Sequence, residues 1–200
     1  MKSLTQQMSA DVREFMIAFD QPFFPTAEAT PCEVSTLRSS LIKEEEREFN
    51  AAPVHSVDEL DAICDLLYVT VGTALTVGVD IAEYRSGQLA LSYPAKQSIW
   101  NVVLPVTQDL DSRFPCTRIQ QAGLNAIVRR MIDVGALMGY KMREAFAEVH
   151  RSNMTKLHNG PHPETFYKCT KKGDKWLVKR ADGKVVKPAT FQPPNLLPYL

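Results

Sequence analysis

Glu44, Glu45 and Glu48 sit together in the run Leu41-Ile42-Lys43-Glu44-Glu45-Glu46-Arg47-Glu48, and Asp61 and Asp65 follow shortly after. Carboxylates at such density can face water, exchange protons, or hold a hard cation. At about 100° per residue, Val34, Leu37, Leu41 and Ala52 form an apolar stripe. Glu44, Glu45 and Glu48 fall within it, while Lys43, Glu46 and Arg47 point away towards solvent. Asp61, Asp65, Tyr68 and Gly72 cluster within roughly 60° of one another, flanked by Val57, Cys64 and Leu75. From Ile63 onward that second segment is almost entirely apolar, which predicts burial on most sides. Each uncompensated buried carboxylate costs on the order of several kcal/mol, and few basic residues lie nearby in sequence. A divalent cation that prefers oxygen, Mg²⁺ or Mn²⁺, would supply the missing charge.

Other chemistries fit less well. A carboxylate-bridged di-iron bundle wants Glu-x-x-His pairs on its helices, and neither acidic helix contains a histidine. His158 and His162 lie in a Gly/Pro loop, so a zinc site made from them and Cys169 is a weak alternative. Cys64 faces the apolar side and reads as packing rather than nucleophile. Neither a P-loop nor a Gly-x-Gly-x-x-Gly motif is present.

The elements that must position these groups are mostly helical. Val12, Phe15, Met16 and Phe19 give a short helical pattern before the Pro-rich connector 21–31. A helix from about Glu33 to Ala52 is stopped by Pro53. The next starts at Ser56, with Glu59 completing a capping-box pattern, and runs to about Val77. Two more are expected over about Thr117–Leu137 and Lys141–Leu157. Ahead of these two, Gly87–Pro115 is hard to read and includes a β-like run, Ile99–Val106. Trp176–Lys187 predicts a hairpin turning at Ala181-Asp182-Gly183, and Phe191–Leu200 a Pro-rich extended tail.

The acidic run resembles the Glu-Glu-x-x-Glu helix of the all-α nucleoside triphosphate pyrophosphohydrolases, the group of MazG, dimeric dUTPases and phosphoribosyl-ATP pyrophosphohydrolase. Asp61-Ala62-Ile63-Cys64-Asp65-Leu66-Leu67-Tyr68-Val69 is similar to the group's second metal helix. Glu148–Lys156 and Asp182–Pro188 are similar to later segments of the MazG-like proteins of bacteriophages. The chain departs from the pattern where the family has Glu-x-x-Asp: position 62 is Ala, and Asp61 takes the ligand's place. About Ala82–Tyr140 is an insertion.

The resemblance implies an all-α bundle of four to five helices over 1–157, followed by a basic hairpin and extended tail over 158–200. It implies Mg²⁺-dependent cleavage of a nucleoside triphosphate between its α- and β-phosphates, and assembly as a homodimer or homotetramer. Glu45, Glu48, Asp61 and Asp65 are the implied metal ligands, with Glu44 and Glu45 in the catalytic role. Arg151, Asn153, Lys156, Lys184 and Lys187 are candidates for the phosphates, with Lys184 or Lys187 reaching the substrate from the tail, in the same or an adjacent subunit. Tyr68 either stacks on a base or packs in the core. Bacteriophage relatives include enzymes directed at (d)GTP and others at dCTP or dUTP.

Composition bounds the alternatives. The chain has 200 residues, 44% hydrophobic and 23% charged, with net charge zero, which fits one folded domain with a tail. The zero hides an asymmetry: thirteen acidic against five basic residues over 1–66, and three against ten over 151–200. No apolar stretch is long enough to span a bilayer and no secretory signal is expected. Four widely spaced cysteines suggest a reducing compartment. The cytoplasm is therefore expected, the host's if the chain is phage-encoded, with no membrane partner. The rival functions are phosphoribosyl-ATP pyrophosphohydrolase and a non-enzymatic nucleic-acid binder using the basic C-terminal segment. The latter would show steep salt dependence but leaves the inward carboxylates unexplained.

Overall fold

The computed structural model describes residues 2–84, 95–181 and 184–200. Helix α1 (Leu4–Ala18) opens on a capping box: the Gln6 N–H donates to Ser3 Oγ at 3.3 Å, and the Ser3 N–H donates to Gln6 Oε1 at 3.0 Å. Met8, Val12 and Met16 recur on one face and are buried. Helix α2 (Cys32–Ala51) begins directly after Pro31, where proline's fixed φ suits a helix entry. Helix α3 (Val57–Thr76) is capped by Ser56, whose Oγ accepts from the Glu59 N–H at 3.0 Å. The Glu59 carboxylate does not close the box on Ser56. It accepts from the His55 N–H at 2.9 Å and from the Tyr140 hydroxyl at 2.8 Å, tying the entry of α3 to a distant loop.

Helices α4 (Ala95–Leu110), α5 (Thr117–Leu137) and α6 (Met142–Met154) complete the bundle. The fold is all-α, with six α-helices and one two-stranded sheet among the described residues. Helix α3 is its axis: α1, α2, α5 and α6 all pack on it, while α4 lies against α2 and α5. Leu60, Ile63, Leu66, Leu67 and Val71 are fully buried there. A helix that is apolar all round needs partners on every side, and within one chain these helices provide them. The stretch expected as an insertion contributes α4 and α5 to the same core.

Three expectations are corrected. Ile99–Val106 is not β-like but part of α4. Ile99, Val103, Val106 and Leu110 are buried at helical spacing, and the β-branched run had masked that period. Pro105 sits inside this helix. The regular hairpin is β1 (Lys168–Lys172) with β2 (Lys175–Lys179), turning at Gly173-Asp174 with Gly173 at φ +61°. Trp176 therefore starts the second strand, not the first. The chain does return past β2, but only as an isolated Lys179–Val185 bridge; Asp182 and Gly183, read as that turn, lie outside the described residues, as do 85–94 of the hard-to-read stretch. On α2 the buried face is Ser35, Arg38, Ser39, Ile42, Glu46 and Phe49. Leu37 is 56% exposed, and Glu46, expected in solvent, is buried and accepts from the Asn50 side-chain amide. Packing of α2 against both α3 and α4 rotates its inner face away from the leucine stripe.

The tail docks on its own chain. Leu196 is buried, the Lys141 N–H donates to the Tyr199 carbonyl at 2.9 Å, and Ser152 Oγ donates to the Gln192 carbonyl at 2.8 Å.

Where α3 ends, Gly78 takes φ +68°, and a Cβ there would stand 2.2 Å from the Pro25 carbonyl oxygen. Gly78→Ala combines left-handed strain with a clash against backbone, so it is expected to cost roughly 2–4 kcal/mol. Urea denaturation with an unchanged midpoint would show that this connector yields freely.

Candidate active site

Helices α2 and α3 set two carboxylates against one cavity. Glu45 from α2 and Asp65 from α3 line a hollow of about 300 Å³, together with Tyr68 and Gly72 from α3, Arg38 and Leu41 from α2, and Phe15 from α1. Asn153 and Lys156, at the end of α6 and just beyond it, close another side. Glu45 and Asp65 reach it because each lies on the flank of its helix rather than on the fully buried face.

Their electrostatics are those of an undercompensated site. Burial, reinforced by Asp65, Glu48, Glu44 and Asp61, pushes the Glu45 carboxyl up to about 8. Burial, followed by the charge on Asp61, pushes Asp65 up to about 7, against the opposing pull of Lys156 and Lys187. Asp61 is raised by burial and then by Asp58 and Glu48. Burial lowers Lys156, while Asp65 and Glu45 hold it up. Its ammonium donates to Asn153 Oδ1 at 2.6 Å.

The remaining sequence-predicted residues are distributed as follows. Glu44 and Glu48, expected on the inward stripe, are exposed instead, because the buried face of α2 runs through Ile42, Glu46 and Phe49; both still act on Glu45 from the rim. Lys187 extends from the tail near enough to act on Asp65 and Lys156, its ammonium 4.6 Å over the Phe191 ring. Lys184 is exposed and is not among the residues that line the cavity. Arg151 is turned to the tail: it forks onto Glu148 with two contacts of 2.7 Å and donates to Gln192 Oε1 at 3.0 Å. Tyr68 is 7% exposed, stacked on Phe146 at 5.5 Å and edge-on to Phe15 at 5.4 Å. Its hydroxyl shares a 3.0 Å hydrogen bond with His150 Nδ1, and burial raises its pKa. Core packing thus accounts for most of its ring, and its edge still borders the cavity. Cys64 lies beneath, fully buried, its thiol pushed up by burial.

Sequence reasoning missed Arg38, Gln21 and Phe15. A signal for Arg38 was present: it stands two turns before Glu45 on the same face, as Gly72 stands two turns after Asp65.

Among the described residues no group of three or more His, Cys, Asp or Glu side chains is placed to hold a metal ion. The donor set nevertheless suits Mg²⁺, which keeps several waters and is usually held by one or two carboxylates plus substrate phosphates. Raised, mutually repelling carboxyls beside a cavity are what a divalent cation would relieve.

Among the described residues no helix is long and apolar enough to cross a membrane. Residues 12–86, which carry the second half of α1 and all of α2 and α3 with their carboxylates, match the family model described as phosphoribosyl-ATP pyrophosphohydrolase. No curated protein and no solved structure was found to match.

Proposed function

From the premise that residues 12–86 belong to the MazG-like all-α nucleoside triphosphate pyrophosphohydrolase superfamily, we propose that the chain hydrolyses a nucleoside triphosphate to the monophosphate and pyrophosphate. The observation that carries this reading is the pair Glu45 and Asp65 facing one cavity, with Lys156 beside them. Glu45 and Asp65 would hold Mg²⁺ or Mn²⁺ together with the substrate phosphates, and Glu48 and Asp61, which act on them electrostatically, would reach the ion only through water or on closing around substrate. When bound, such an ion polarises phosphate oxygens and lowers the pKa of a coordinated water. Phosphoryl transfer otherwise demands positioning and charge neutralisation. Lys156 and Asn153 orient the phosphates, and Lys187 adds positive charge from the tail. One water adds across the α–β phosphoanhydride, and Glu44, at the rim, takes its proton. Exposed Leu37, Trp100 and Ile119 support assembly into a homodimer or homotetramer, which light scattering tests.

The matched family's own name favours one second reading, with phosphoribosyl-ATP as the substrate. A panel of ribo- and deoxynucleoside triphosphates plus phosphoribosyl-ATP, assayed with Mg²⁺, separates the two. Monophosphate and pyrophosphate are expected as products, with activity abolished by excess EDTA. Diphosphate and orthophosphate, or full activity in EDTA, would overturn the proposal.

A further inference from the structure

The end of the cavity away from the carboxylates contains a buried guanidinium without a counter-charge. Arg38 is 7% exposed. Among the described residues its one hydrogen bond is from Nη2 to Gln21 Oε1, at 3.4 Å, and its Nε has no partner. Burial alone accounts for its pKa falling to about 10, so it is still charged at neutral pH. A buried cation is ordinarily paired. This one instead lines a cavity, at a point where α3 offers no side chain: a Cβ on Gly72 would lie 3.5 Å from Nη1. The Gln21 amide is itself anchored, its Nε2 donating to the Phe19 carbonyl at 3.3 Å, so its oxygen fixes the direction of the guanidinium.

The spacing sets the reach. Arg38 and Glu45 are seven residues apart on α2, as are Gly72 and Asp65 on α3. Two helical turns put the guanidinium about 10 Å from the carboxylate end, a span suited to a nucleoside. A triphosphate anchored at the carboxylates and Lys156 directs its base past Phe15 and Val69 to Arg38.

We propose that Arg38 is the specificity-determining residue of this site, selecting nucleotides of the 6-oxopurine class. The inference rests on the pyrophosphohydrolase reading for the placement of the phosphates. Guanidinium offers donors only, and the matching base edge is one with two acceptors, O6 and N7 of guanine. Adenine presents its N6 amino group, a donor, at the same place and leaves the guanidinium short of an acceptor.

Arg38→Met tests this, since it keeps much of the volume while removing the charge and every donor. The wild-type chain is expected to prefer dGTP over dATP by at least tenfold in kcat/KM, and the variant to bring that ratio within about threefold of one. Binding of GMP and AMP to the full chain in EDTA, followed calorimetrically, gives the same comparison without turnover. A preference for GMP that Arg38→Met abolishes, in a protein that hydrolyses no triphosphate, would uphold the base contact while refuting the hydrolase. Equal losses for both bases would make Arg38 a phosphate contact, and an unchanged ratio would make it a packing residue. Either overturns the proposal, as does a wild-type chain with no preference. If Arg38→Met fails to fold, Arg38→Lys decides: it keeps the charge but loses the fork, so the dGTP preference must fall.

Discussion

Asp65→Asn is expected to lower turnover by about a thousandfold or more, equivalent to about 4 kcal/mol of barrier, and to make the metal-free protein more resistant to unfolding. Both effects have one origin. Asp65 and Glu45 line one cavity partly out of water; burial raises both, Asp65 adds to the rise of Glu45, and Asp61 adds to that of Asp65. In the folded chain they keep their protons to about pH 7 and 8, whereas in the unfolded chain they release them near 4. Between those limits the folded state binds more protons, so its stability falls as pH rises. The cost is absent below about pH 4 and complete above about pH 8. In EDTA the melting temperature should therefore decline from pH 5 to pH 8, and Asp65→Asn should flatten that decline. Mg²⁺ added to the wild type should raise the melting temperature most at the alkaline end, where both carboxylates are charged. A variant with near wild-type turnover, or a pH slope that survives Asp65→Asn, would remove these carboxylates from the site.

The helices were legible in the sequence where their apolar period was clean. Thr117–Leu137 coincides with α5, and the expected span from Ser56 overlaps α3 with Ser56 as its cap. The reading failed where tertiary packing decides. On α2, Ile42 and Phe49 turn inward and Leu37 outward because α4 occupies the second side, and α4 itself had been obscured by β-branched residues and Pro105. Only the proximity of Glu45 and Asp65 could be inferred from the wheels. Arg38 shares the face of Glu45 two turns away, but that spacing does not tell a buried arginine from a solvated one, because its burial depends on Gly72 from another helix and Gln21 from a loop. The tail, expected as a Pro-rich extended segment, ends in a 3-10 turn over Leu197–Tyr199, and it is fastened to α6 by the Ser152 hydroxyl on the Gln192 carbonyl and by the buried Leu196.

Lys156→Met should show whether the cation and the carboxylates act as one unit. The Lys156 ammonium is the foremost positive charge acting on Asp65, and it is itself half-withdrawn from water, with Asn153 Oδ1 accepting from it. Removing it takes away a phosphate contact and lets Asp65 hold its proton to still higher pH. The expected loss in kcat/KM is about 10- to 100-fold, or about 1.4–2.8 kcal/mol, with the acidic limb of the pH–rate profile shifted upwards. In Asp65→Asn/Lys156→Met the second effect has no carboxylate left to act on. The double variant should therefore lose less than the product of the single losses, because residues that work as a unit are not additive. Strict additivity would mean that Lys156 touches only the substrate, independently of Asp65. Unchanged kinetics in Lys156→Met would leave the phosphates to Asn153, Lys187 and the bound cation, and would remove the lysine from the site altogether.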